Sequence, residues 1–263
     1  MTGFKSLYRY RQLIAALTSR DLKARYRGSI LGYFWSLANP LLLLGVYTLV
    51  FTKFFPRFDM KAYPLFLFAG ILPWTFFAAA TLESTQSISS NAGLIKKVMF
   101  PAEALPLVVV LSHLVHFALA VPVLLAALVA YTLLGQAQVT AAILLLPVLM
   151  ILQAIFVAGI ALCVSTVSIL FRDLRDIVSN LLQIGFFITP IIYPITQAPS
   201  PLLRVLLRLN PMTPFVVGYQ DIVSLGQMPS TMDMFLMVAY AFASIAAGFM
   251  VFERLRDTLA EAI

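Results

Sequence analysis

The sequence predicts an all-α polytopic membrane protein with six transmembrane helices. An amphipathic interface helix precedes them, a short helix across the cytoplasmic face follows the second, and two short re-entrant helices lie between the fifth and sixth. Three observations carry that prediction. Hydrophobic residues make up 61% of the 263 positions and charged residues 11%, a balance that a water-soluble fold could hold only by exposing large apolar patches. Uncharged runs recur at bilayer length, since ~20 helical residues at ~1.5 Å each cross the ~30 Å of hydrocarbon. Finally, all 18 Lys and Arg can be placed between those runs, with an excess on one side that sets the orientation.

Residues 1–30 form the interface element. Leu7, Tyr10, Leu13, Ile14 and Leu17 fall within a sector of about 120° on a helical wheel, and Lys5, Arg9, Arg20, Lys23 and Arg27 cluster elsewhere. A basic amphipathic helix of this kind lies among anionic headgroups. It serves either as a topology anchor alone or also as a surface for a phosphorylated substrate or cytosolic partner. Seven cations and one acid precede the first span, which places the amino terminus in the cytoplasm.

The membrane domain, 31–253, then follows in order. Span one is 32–52, free of charge from Gly32 to Thr52. Lys53, Arg57, Asp59 and Lys61 mark an outer loop, and span two is 64–82, where Gly70 and Pro73 require neighbouring helices to satisfy the freed backbone. Segment 83–103 is polar, then basic, and ends near Pro101. It reads as a short helix across the cytoplasmic face, with Leu94, Ile95, Val98 and Met99 available to press on another protein.

From Ala104 to Phe171 there are 68 residues without a formal charge, which the turn at Gly135–Gln138 divides into spans three, 104–134, and four, 141–171. His113 and His116 share a face of span three. A metal or proton-relay role competes there with neutral histidines bonded within the bundle, and no carboxylate or thiol pattern adjoins them. Arg172, Asp173, Arg175 and Asp176 form a balanced cytoplasmic turn whose charges can pair locally. Span five is 177–193.

The next stretch, 195–225, is apolar yet interrupted by prolines, with Pro190, Pro194, Pro199, Pro201, Pro211 and Pro214 in and before it. Two helices of about Pro201–Leu209 and Thr213–Leu225 dipping into the outer leaflet fit it, because irregular backbone survives at membrane depth only when protein or a water-filled cavity surrounds it. Span six is 232–252, and 254–263 is a cytoplasmic tail.

Cytoplasmic segments thus take the seven leading cations, Lys96, Lys97, Arg172, Arg175, Arg254 and Arg256, while Lys53, Arg57, Lys61, Arg204 and Arg208 lie outside. Both termini are expected in the cytoplasm. Without ionisable groups in mid-membrane beyond the two histidines, a proton-coupled pump is disfavoured. No Gly-Lys dipeptide, metalloprotease histidine pair or Gly-x-Ser-x-Gly elbow occurs, so the energy for any active transport comes from another chain.

What the spans offer is aromatic. Tyr33, Phe34, Trp35, Tyr47 and Phe51 lie on span one, Trp74, Phe76 and Phe77 on span two, and Phe186, Phe187 and Tyr193 on span five. They are either interfacial belts and core packing or a stacking surface for sugar rings, whose weak repeated contacts suit a moving polymer.

Four segments together carry a resemblance: ILGYFWSLANPLLLLGVYTLVF, GLIKKVMFPAEALP, FRDLRDIVSNLLQIGFFITPIIYP and NPMTPFVVGYQDIV. In this order the chain resembles, over nearly its whole length, the permease subunit of bacterial ATP-binding cassette exporters of O-antigen, capsule or teichoic acid. The resemblance implies a homodimer in the bacterial inner membrane with two copies of a cytoplasmic ATPase. The partner would bind ATP and Mg and this chain no cofactor. It also implies a lipid-linked polysaccharide as substrate, contact with membrane lipids, envelope export proteins as further partners, and no nucleic acid.

On the same resemblance Gly93, Leu94, Ile95, Lys96, Lys97, Val98, Met99, Phe100 and Pro101 form the coupling helix. Leu31 and Gly32 border a cytoplasmic gate, and Arg20, Lys23, Arg25 and Arg27 meet the anionic head. The aromatics of spans one and five line the path. A drug or lipid exporter of the same architecture, or a membrane-embedded glycan-modifying enzyme using the FRDLRD segment or the two histidines, are the alternatives.

Overall fold

The computed structural model describes residues 10–26, 35–50, 62–91, 93, 101–171, 173–197 and 199–262, with backbone alone at 26, 35–37 and 257–262. Among them are nine α-helices and no strand: α1 (Arg11–Tyr26), α2 (Trp35–Leu49), α3 (Tyr63–Ser84), α4 (Ala104–Leu133), α5 (Leu146–Leu170), α6 (Leu174–Ile188), α7 (Pro201–Leu209), α8 (Met212–Gln220) and α9 (Thr231–Ala262). Short 3-10 turns at Ser89–Asn91, Ala141–Leu145 and Ile195–Gln197 and a π-turn at Asp221–Leu225 join them. Within the described residues, four helical stretches are long and apolar enough to cross a membrane: Tyr63–Ser84, Ala104–Leu133, Ala141–Leu170 and Thr231–Arg256.

Helix α3 is the centre of the bundle, with 72% of its most apolar stretch buried against 28% in α9. Its Leu65, Phe66, Leu67 and Phe68 are enclosed, and aromatic rings carry the core outward from it. Phe77 stacks on Phe156 at 5.8 Å and Phe156 on Phe215 at 5.4 Å, while Phe76 stacks on Phe117, which meets the edge of Tyr219. Phe76 and Phe77 are therefore core residues. Pro73 lies inside α3 and lacks the N–H that would bond the Ala69 carbonyl; its own carbonyl accepts a 2.8 Å hydrogen bond from Gln153 Nε2 of α5, which ties the two helices together.

The most extensive helix pairing joins α5 to α9. Small residues explain it, because helices in lipid gain most from close backbone approach. A Cβ on Gly248 would lie 2.5 Å from the Gly159 carbonyl oxygen, and one on Gly159 would fall on the Ser244 and Ile245 backbone. Helix α4 ends at Gly135, whose φ of 68° lets Gln136 N–H reach back to the Tyr131 carbonyl.

Three readings change. Helix α6 ends at Ile188 rather than Tyr193, because Thr189 precedes Pro190 and takes extended backbone with ψ 137°. The turn charges Asp173, Arg175 and Asp176 form no ion pair among the described residues; backbone bonds such as Leu174 N–H to Phe171 O close that turn, and Arg172 lies outside the description. Helix α1 docks through a narrow strip, with Ile14 and Leu17 against Ala104, Leu105 and Val108 of α4, while Leu13 is exposed.

Candidate functional site

Helices α3 and α6 diverge around a groove of about 540 Å³, within the range of pockets that hold a small organic ring system. On α6, Ser179, Gln183 and Phe186 recur at i, i+4 and i+7 and so share one face. Trp74, Thr75 and Ala78 of α3 stand opposite. The Trp74 ring meets Phe77 edge-on at 5.4 Å and Phe186 at 6.1 Å, and Phe186 meets Phe187 at 5.3 Å. Gly185 makes that approach possible, since a Cβ there would lie 3.0 Å from Trp74 Cη2. The groove carries aromatic faces, two hydroxyls and an amide, with no formally charged residue in its lining.

Of the expected aromatic path, Phe186 and Phe187 therefore converge, joined by Trp74 of span two. Tyr47 does not; it packs half-buried from α2 against the main core. Tyr193 caps α6 instead, its hydroxyl donating to the Phe187 and Ile188 carbonyls at 3.3 and 3.2 Å. Only the backbone of Trp35 is described, and Tyr33, Phe34 and Phe51 lie outside the described residues. Sequence reading passed over Ser179, Gln183 and Thr75. The i, i+4, i+7 polar stripe on an otherwise apolar segment is the signal that could have found them.

At the other end of α3 a charged node joins three helices. Glu83 accepts from Arg25 Nη2 of α1 at 2.5 Å and bonds His113 Nε2 of α4 at 2.8 Å, while Arg25 Nε donates to Asp21 at 3.0 Å. Burial opposes the Arg25 charge, but Glu83 and Asp21 outweigh it and raise the guanidinium above its ordinary value. The expectation that no carboxylate adjoins the histidines is corrected here, because the fold brings Glu83 across 30 positions to His113. The His116 ring lies 6.3 Å from that of His113.

The other basic and coupling residues are less concentrated. Arg20 lines a cleft of about 400 Å³ with Asp21, Glu83 and Gln86, and Lys23 is exposed. Arg27, Leu31 and Gly32 lie outside the described residues, as do Leu94, Ile95, Lys96, Lys97, Val98, Met99 and Phe100; Gly93 is exposed and Pro101 half-buried.

Near α7 and α8 side-chain bonds fix a proline-interrupted backbone. Gln220 Nε2 donates to the Pro190 and Ile191 carbonyls at 3.2 and 3.1 Å, and Asn210 Nδ2 to Thr189 Oγ1 at 2.8 Å. Gln220 needs Gly70 beside it, since a Cβ there would meet its amide nitrogen at 2.6 Å. Arg208 of α7 grips Asp233 of α9 through Nε and Nη2, at 2.8 and 3.1 Å.

Burial, with the Asp233 charge adding to it and Arg208 opposing it, pushes the Asp221 carboxyl up to about 7. The raised value means a stabilising contribution that is full below the ordinary carboxyl value and is lost as pH rises through about 7. Asp221→Asn should therefore unfold no more easily at pH 7.5 than at pH 4 on this account, whereas the wild type should lose ground to it across that interval. Thermal unfolding of both at each pH checks the sign.

Residues 12–224 match the family model described as ABC-2 type transporter. The O-antigen export system permease protein RfbA of Myxococcus xanthus is 37% identical over 260 residues, covering 98% of each chain. The protein of that name from Klebsiella pneumoniae is 32% identical over 249 residues, 95% of this chain and 94% of its own. The polysialic acid transport protein KpsM of Escherichia coli is 22% identical over 251 residues, 94% of each.

Proposed function

The chain belongs to the ABC-2 type transporter family, and from that premise we propose that it is the permease subunit of an ATP-driven exporter of a cell-surface polysaccharide, of O-antigen type. The observation that carries the cargo is the uncharged groove of Trp74, Phe186, Phe187, Thr75, Ser179 and Gln183. Aromatic faces stack on the apolar faces of sugar rings while hydroxyls and an amide exchange hydrogen bonds with sugar hydroxyls. None of these contacts is strong enough alone to arrest a polymer. The higher identity to O-antigen permeases than to KpsM, 37% against 22%, favours an O-antigen over a capsule.

The finer reading has two such chains side by side in the inner membrane, each with six spans and both termini cytoplasmic, α2 and α6 supplying the two that are short in the described residues. The cytoplasmic excess of cations supports that orientation. Two copies of a separate ATPase would bind ATP and Mg beneath residues 93–101, and 195–225 would form the outer gate. The cargo would be lipid-linked. Exposed apolar residues along α6, among them Ile177, Leu181, Ile184 and Ile188, give a second chain or lipid a face to cover.

Deleting the gene and measuring glycan on both sides of the membrane tests the reading. Surface O-antigen should disappear while lipid-linked glycan accumulates inside. Unchanged surface glycan would overturn it and leave a drug or lipid exporter. A finer probe is Phe187→Ala. Its ring is 70% exposed, so stability should move by no more than about 0.5 kcal/mol, while the export rate falls several-fold. Trp74→Ala is a poorer probe because that ring is buried and its loss costs about 3–5 kcal/mol.

A further inference from the structure

We propose that a second groove, between α2, α3 and α4, binds one anionic phospholipid of the cytoplasmic leaflet, its phosphate at Arg25, Asn39, His113 and His116 and an acyl chain along the walls beyond. The groove has a volume of about 700 Å³. Its chemistry changes from one end to the other. Asn39 on α2 and His113 on α4 stand at the end where Arg25 enters from α1, whereas Val46 and Ala120, each seven residues further along, line it about 10 Å away at ~1.5 Å per residue. Helix α3 runs the other way and contributes Ala79 at the first end and Leu72 at the second. One end is thus lined by a guanidinium, two imidazoles and an amide, and the rest by aliphatic and phenyl groups.

No carboxylate lines this groove. Glu83 and Asp21 hold Arg25 and His113 from behind and line the separate cleft beside Arg20. Glu83 therefore acts as a positioning residue, bonding Arg25 and His113 where they reach the mouth. Arg25 uses two of its five N–H groups on Asp21 and Glu83.

The leaflet facing the cytoplasm is the anionic one and presents phosphodiesters at high local concentration. The apolar track fits an acyl tail, and Leu42, Val46 and Leu49 of α2 are exposed among the described residues. The site rests on the cytoplasmic placement of α1 proposed above and does not depend on the cargo being a polysaccharide.

Native mass spectrometry of the full-length chain purified with its ATPase tests it, with phosphatidylglycerol and phosphatidylcholine of equal chain length as probes. One phosphatidylglycerol per chain should survive delipidation, with at least ten-fold preference over phosphatidylcholine. His113→Gln with His116→Gln should lower retention at least ten-fold, and so should Val46→Trp, which fills the track without touching the polar end. Lys23→Gln, on α1 but outside the groove, should leave it unchanged. Equal retention of the two lipids, or unchanged retention in both groove variants, would overturn the site. Displacement of phosphatidylglycerol by an equal amount of polyprenyl phosphate would overturn the assignment to a resident phospholipid and give the groove to the cargo. The gene-deletion result bears on none of these outcomes, so the two readings fail separately.

Discussion

Replacing Gly159 by valine is expected to cost more stability than any other single change on the α5–α9 seam. A Cβ at this position would fall inside the van der Waals radius of the Ser244 carbonyl group and the Ile245 amide nitrogen, all of them backbone atoms. Backbone cannot rotate away as a side chain does. Overpacking costs typically about 1–3 kcal/mol when neighbours can shift, and here the only relief is to separate two long helices that bury Leu162, Ala241 and Ser244 between them. Gly159→Ala should already cost about 3 kcal/mol, the top of that range, and Gly159→Val should leave little folded protein. Gly45→Ala is the control, because nothing lies within 4 Å of a Cβ there and the change should be near neutral. Melting in detergent, followed by size-exclusion of the soluble fraction, gives the comparison.

Arg208→Met should rank next. Asp233 is 1% exposed, and Arg208 grips it with two nitrogens while Ser230 Oγ donates to it at 2.6 Å. Removing one partner of a buried pair leaves the other unpaired and costs about 3–5 kcal/mol. The Arg208 carbonyl also accepts from Tyr240, so α7 is tied to α9 at two points. Melting should drop accordingly, and Arg208→Met combined with Asp233→Leu should recover part of the loss. A double-variant cycle that showed no recovery would mean that Arg208 acts by some route other than neutralising Asp233.

The two predictions draw on different depths of the sequence. Long apolar helices were legible because length and absence of charge suffice: the 68 uncharged residues after Glu103 contain α4 and α5, separated at a Gly-containing turn. The proline-rich stretch was legible too, since Ser200 followed by Pro201 is a helix start, and Ser200 Oγ does accept from Leu203 N–H. Contacts between distant segments were not. Glu83 reads as the polar end of a span until His113 and Arg25 are beside it, and Arg208 reads as a bare outer cation until Asp233 is. Gln220 looks like any polar residue near a turn, although its amide organises backbone 30 positions earlier. Such pairings depend on how the helices stack, which local pattern does not encode.

Helix α6 buries a single residue, Val178, along its 15. Its far end, by contrast, is tied down: Tyr193 closes the last carbonyls and Thr189 is bonded to Asn210. Within one chain, turning this helix about its axis would change few packed contacts, chiefly those of Gly185 and Phe186 with Trp74. Rolling α6 would swing Ser179, Gln183 and Phe186 together past Trp74, so the width and the chemistry of the groove would change as one motion. On the export reading proposed above, the groove would then change width by an angle, with no helix unwinding.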